Sequence, residues 1–140
     1  MNFFIKGPRK GLSEKRKVAV EFKVGEENEA WLKKMAEQYQ LEVSKAMRMV
    51  LDYAIQEASK SAILQVEGEA GEKSVNYTVD ASHTEWLQSF AEESSSGTDT
   101  LITKTLNLVR NSVDPSIVFE MDRSQRRVLK RTDVKFSIKS

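Results

Sequence analysis

Val20-Glu21-Phe22-Lys23-Val24 and Val75-Asn76-Tyr77-Thr78-Val79 are two versions of one pattern, set 55 residues apart. The correspondence continues without a gap. Trp31-Leu32 falls on Trp86-Leu87, Ala36-Glu37 on Ala91-Glu92, and Leu51 on Leu106. Between residues 20–54 and 75–109 seven positions are identical, where ordinary residue usage gives roughly two. Both tryptophans occupy the same place in their copy. Self-similarity at a fixed period defines the structural unit, which here is about 40 residues long and occurs twice.

Each unit reads as a strand followed by two helices. Val18, Val20, Phe22 and Val24 alternate with Lys17, Ala19, Glu21 and Lys23, the period of a half-buried strand. Val75, Tyr77 and Val79 alternate in the same way with Ser74, Asn76 and Thr78. Helical spacing follows: Trp31, Met35 and Tyr39 form a stripe beside Leu32 and Ala36, with Trp86, Leu87, Phe90 and Ala91 as the counterpart. Acids at the start of the first helix (Glu26, Glu27, Glu29) complement its dipole. A second helix is predicted to begin after an N-cap at Ser44, or at Asp99 in the second copy. It should end near Ser59 and before Pro115, respectively. A lone strand has two unpaired edges, and two short helices bury too little. Two such units solve both problems together if their strands pair antiparallel with four helices behind them.

Composition narrows the functional classes. With no cysteine among 140 residues, disulfides and thiolate zinc sites are excluded, which fits a reducing, cytoplasmic setting. No run approaches a membrane span, and the apolar start Met1–Ile5 is too short for a signal peptide. The net charge of +1 hides a polarity along the chain: residues 1–23 carry +5, 24–60 carry −2, 61–114 carry −6 and 115–140 carry +4. Basic ends around an acidic middle suggest local contacts with a polyanion, or simply solvated tails.

The alternating strand, the helix, the short turn and the segment Val43-Ser44-Lys45-Ala46-Met47-Arg48 together resemble the ribbon-helix-helix DNA-binding family. The resemblance covers roughly residues 17–58 and 73–113. It implies a mainly α fold with a short antiparallel β-ribbon, built as β-α-α repeated twice to form an intramolecular pseudo-dimer. The expected organisation is a basic flexible arm (1–16), a first unit (17–59), a linker (60–72), a second unit (73–114) and a basic tail (115–140). In that family a two-stranded ribbon enters the major groove, so the base readers by position are Ala19, Glu21, Lys23, Ser74, Asn76 and Thr78. Asn76 suits adenine and Lys23 guanine; Glu21 fits only a cytosine amino group or a solvated position. The phosphate contacts implied are Ser44, Lys45 and Thr100 at the second helices, although Asp99 beside Thr100 is unfavourable for an anion. Arg9, Lys10, Lys15, Arg16 and Lys17 just before the strand are further candidates for phosphate contact.

Outside the units, Ile63-Leu64-Gln65-Val66 can be read as linker or as a hairpin strand. Pro115–Met121 can be read as a strand leading into Arg123, Arg126, Arg127, Lys130 and Arg131. That tail suits phosphate binding, a protein partner or a hairpin equally well. His83, the sole histidine, falls in the first turn of a predicted helix, where it is expected to be exposed. No spacing suits catalysis, a metal or a cofactor, so the expectation is a protein that is not an enzyme. The tryptophans are read as core rather than as stacking platforms. The expected function is sequence-specific binding of double-stranded DNA at an asymmetric site, as a transcriptional repressor. The alternatives are an accessory DNA-binding protein of a conjugative relaxosome, or an antitoxin-like or adaptor module that binds protein. The free protein is expected to be monomeric, with cooperative dimers on adjacent DNA sites.

Overall fold

The computed structural model describes residues 16–120, which are mainly helical with one two-stranded antiparallel sheet. The elements are β1 (Lys17–Val24), α1 (Glu26–Gln38), α2 (Val43–Glu57), α3 (Lys60–Gln65), β2 (Lys73–Asp80), α4 (Ala81–Ser94), α5 (Thr98–Ser112) and α6 (Pro115–Phe119). The arm residues Arg9, Lys10 and Lys15, and the tail from 121 onward with its arginines, lie outside the described residues. Helix starts keep the 55-residue spacing throughout: 26 and 81, 43 and 98, 60 and 115.

The strands follow the period of two. Phe22, Val24, Tyr77 and Val79 are buried and Val18, Val20 and Val75 half-buried, while Lys17, Ala19, Glu21, Lys23, Ser74, Asn76 and Thr78 are exposed. β1 pairs with β2 so that Glu21 stands opposite Asn76, its own counterpart 55 residues on. Both first helices end alike. Gln40 and Ser95, also 55 apart, take left-handed conformations at φ 57° and 56°. The following amides reach back, Leu41 N–H to the Ala36 carbonyl (2.8 Å) and Ser96 N–H to that of Ala91 (3.1 Å). This is the bond pattern of a Schellman stop.

Two segments differ from the sequence reading. Residues 60–65, expected to be linker or a hairpin strand, form α3, and residues 115–119, expected to be a strand, form α6. Each has its own cap: Ser59 Oγ accepts from Ala62 N–H at 3.1 Å, and Asp114 Oδ1 from Ser116 N–H at 2.9 Å. Pro115 occupies the first helical position, where its missing N–H costs nothing. Each short helix anchors through one fully buried residue, Ile63 or Val118. Each also crosses over, α3 lying on α5 and α6 on α2. The repeat is therefore longer than a strand and two helices, and its halves are interleaved. Leu32, Met47, Leu51, Leu87, Ile102 and Leu106 are fully or almost fully buried in one shared core.

Buried polar groups also join the halves. Asn28 Nδ2 donates to Asn107 Oδ1 (3.0 Å), and Arg110 Nε donates to Asn28 Oδ1 (2.9 Å). At the counterpart positions, His83 is 1% exposed, not exposed as expected, and its Nε2 lies 2.7 Å from Asp52 Oδ1. Because His83 Nδ1 accepts from Asp80 N–H (3.1 Å), Nε2 carries the hydrogen and donates to Asp52. Glu29, mostly buried, pairs with Lys73 at 2.9 Å and Lys33 at 3.5 Å. The Lys73 bond holds the Glu29 carboxyl below its ordinary value, burial opposes this, and Lys33 assists. Burial, with Glu29 second, pushes the Tyr77 phenol up to about 12; its hydroxyl has no hydrogen-bond partner among the described residues.

If α3 belongs to the core, Ile63→Ala should cost about 2–5 kcal/mol by chemical denaturation, the range for a buried large-to-alanine change. A slack linker would give no change. The Glu29–Lys73 pair sets a pH dependence. A carboxyl lowered in the folded state contributes stability above its ordinary pKa and loses it as pH falls through the folded value. Lys73→Ala should therefore lower the melting temperature at neutral pH, with the difference from the parent protein shrinking below the carboxylate range. A difference independent of pH would show that Lys73 acts by packing alone.

Candidate nucleic-acid interface

Three pairs of side chains make up the centre of the ribbon's outer face: Ala19 opposite Thr78, Glu21 opposite Asn76, and Lys23 opposite Ser74. All six are exposed. The strand register thus brings every sequence-predicted base reader onto one surface. Lys17 stands opposite Asp80 at one end and pairs with it at 3.0 Å.

Each outer edge of the ribbon is tied at one point to a second helix. Ser44 Oγ accepts from Thr78 N–H at 2.9 Å, and Asp99 Oδ1 accepts from Lys23 N–H at 3.0 Å. These two bonds are counterparts, each running from the second helix of one half to the strand of the other. Neither residue is an N-cap, as the sequence had suggested. The capping positions are Glu42 and Gly97, and Ser44 and Asp99 are the second residues of α2 and α5. Arg48 Nη1 donates to the Thr78 carbonyl at 2.7 Å, Gly71 N–H to Lys23 O at 3.2 Å, and Ala81 N–H to Arg16 O at 2.7 Å. The outward backbone groups of Thr78 and Lys23, near opposite ends of the ribbon, are thereby satisfied. Gly71 lies so close to β1 that a Cβ there would fall 2.1 Å from the Val24 carbonyl carbon. Only glycine fits.

Beside one end of the ribbon, Lys17, Glu42, Val43, Ser44, Arg48 and Thr78 line an open hollow of about 530 Å³. Lys45 is exposed on the same first turn of α2, whereas its counterpart Thr100 is half-buried. Arg16 is exposed where the chain enters β1. Arg48 was missed in the sequence, although it lies one helical turn beyond Ser44 and so shares its face. Compared with family models, curated proteins and solved structures, the chain matches none.

The tryptophans are half-buried against other rings, Trp31 at 5.8 Å from Phe119 and Trp86 at 5.4 Å from Phe90. Asp52, Asp80 and His83 each bring a ligand-type atom within 4.8 Å of the others. Both ring nitrogens of His83 are already hydrogen-bonded within that group, so the cluster reads as a polar strut between halves. No helix among the described residues is long and apolar enough to cross a membrane.

Ser44→Ala should speed hydrogen exchange at the Thr78 amide and cost about 1 kcal/mol, the net worth of one hydrogen bond. Exchange at the Lys23 amide should not change, because Asp99 holds it independently. Equal acceleration at both would mean that the two bonds open as one unit.

Proposed function

We propose that this chain is a sequence-specific double-stranded DNA-binding protein, a tandem ribbon-helix-helix unit whose ribbon enters the major groove, acting as a transcriptional repressor. One observation carries the reading: six polar or small side chains of alternate strand positions form a continuous exposed face, backed by a closed core. A major groove about 12 Å wide admits a two-stranded ribbon. The face carries the chemistry that base edges require. Asn76 can bond bidentately to adenine, Lys23 can donate to guanine, Glu21 can accept from a cytosine amino group, and Ser74 and Thr78 serve several bases. Lys17, Lys45 and Arg48 flank it with positive charge suited to phosphates.

The central pair is Glu21 with Asn76, two different side chains at the point where a symmetric ribbon would carry two copies of one. The preferred DNA is therefore not a palindrome. An accessory role in a conjugative relaxosome uses the same interface and differs only in what lies beside the bound sequence.

Asn76→Ala should cost about 1–3 kcal/mol on the preferred duplex, the range for a good bidentate base contact, and leave thermal stability unchanged. Binding to random duplexes should be little affected. Tyr77→Ala should do the reverse, costing about 3–5 kcal/mol of stability because it empties a core site. Melting curves and paired affinities for both variants check this. Loss of stability on Asn76→Ala with none on Tyr77→Ala would place the wrong face outward.

A further inference from the structure

The two ends of the ribbon are not alike in charge. Around the end where β1 begins are Arg16, Lys17, Lys45 and Arg48; their counterparts at the other end, 55 residues on, are Gly71, Glu72, Thr100 and Thr103. Ser44, which ties the first edge, is replaced by Asp99, which ties the second. The first end is not free of acids: Glu42 lines its hollow and Asp80 pairs with Lys17. Yet cations outnumber acids there.

At the other end the balance reverses. A cleft of about 910 Å³ opens beside the end of β1 and the start of β2, and Glu26, Glu27, Glu69 and Glu72 line it. Of its two cations, Lys73 pairs with Glu29 and Arg110 hydrogen-bonds to Asn28 and Asn107. Lys17 likewise pairs with Asp80, and Arg48 bonds the Thr78 carbonyl, at the first end, so the contrast lies in the four acids. Lys23 remains exposed on the ribbon face at that end, with the Asp99 carboxylate bonded to its own backbone N–H. The sequence entering each strand repeats the contrast, Lys15-Arg16-Lys17 before the first and Ala70-Gly71-Glu72 before the second.

A duplex presents phosphates on both sides of a bound ribbon, at close range and with a charge density that does not vary with sequence. From this we infer that the duplex is held on one side only: phosphates beside the Lys17, Lys45 and Arg48 end are contacted, and those beside the Glu72 and Asp99 end are not. The inference rests on the proposed DNA-binding reading and adds a direction to it. The footprint extends past the ribbon on one flank, and because phosphates carry no sequence information, the base readers decide which flank of the site that is.

The test uses the full chain and a duplex selected from a random pool. Phosphate ethylation interference should mark one flank strongly and the other not at all. Lys45→Ala should lower the slope of log affinity against log salt by about 0.9, the value for one phosphate contact. The triple variant Glu72→Ala, Asp99→Ser, Thr100→Lys rebuilds the missing end, and should raise the slope by a similar amount and bring interference to the second flank. Asp99→Ser keeps a hydroxyl for the Lys23 amide, and a melting curve confirms that the variant folds. Equal interference on both flanks of the parent complex would overturn the one-sided contact while leaving DNA binding intact. Failure to retain any duplex would overturn both.

Discussion

Everything else in this molecule depends on the antiparallel pairing of β1 with β2 in the register that sets Glu21 opposite Asn76. Neither strand has another partner among the described residues. Pairing turns seven apolar side chains of the two strands toward the helices, and a slip of either strand by one residue would send that strand's whole set to solvent. The same register brings the Thr78 and Lys23 amides to Ser44 and Asp99, which accept from them. Those bonds position α2 and α5. The exposed polar face is thus the necessary reverse side of the core, and it cannot change register without losing the fold.

The halves also differ in ways that favour their union over pairing of like with like. Two first halves joined in the same register would set Glu21 against Glu21. Lys17 would find Gly25 in place of Asp80, Glu29 would find Val18 in place of Lys73, and Lys60 would find Gln38 in place of Glu93. Two second halves would bring Glu72 against Asp80. The exposed pairs, Lys17–Asp80 and Lys60–Glu93, are each worth only about 0–1 kcal/mol, and the mostly buried Glu29 loses more when left without Lys73. The covalent connection matters more. An effective concentration near the millimolar range, against about a micromolar of separate chains, favours the joined halves by roughly 4 kcal/mol. The charge pairs refine a choice that the connection largely makes.

Strands, their inward and outward faces, and the first two helices of each half were legible in the sequence, because Val20-Glu21-Phe22-Lys23-Val24 and its copy carry an unbroken period of two over a gapless repeat. The outward set from Ala19 to Thr78 followed from the same alternation. α3 and α6 were not legible: six and five residues span too few turns to show helical periodicity. A comparison extended past residue 114 would have aligned Ser61 with Ser116 and Ile63 with Val118. His83 was misread because exposure in a first turn is the ordinary case. The 55-residue repeat sets His83 on Asn28 and Asn107 on Asp52, but only the three-dimensional pairing shows that Asn28 bonds Asn107 and His83 bonds Asp52 across the halves. Ser44 and Asp99 look like caps by residue type, and in the structure they accept strand N–H groups from the opposite half. Contacts between halves are the one kind of information that a local pattern does not contain.

The central claim is that the exposed ribbon face meets DNA. Backbone amide chemical shifts followed during titration with a short duplex test it residue by residue. The changes should concentrate on both strands at Ala19, Glu21, Lys23, Ser74, Asn76 and Thr78, with Lys45 and Arg48 next. The amides of α1 and α4, behind the sheet, should stay nearly still. Changes confined to the helices, or no saturable change with any duplex, would contradict it.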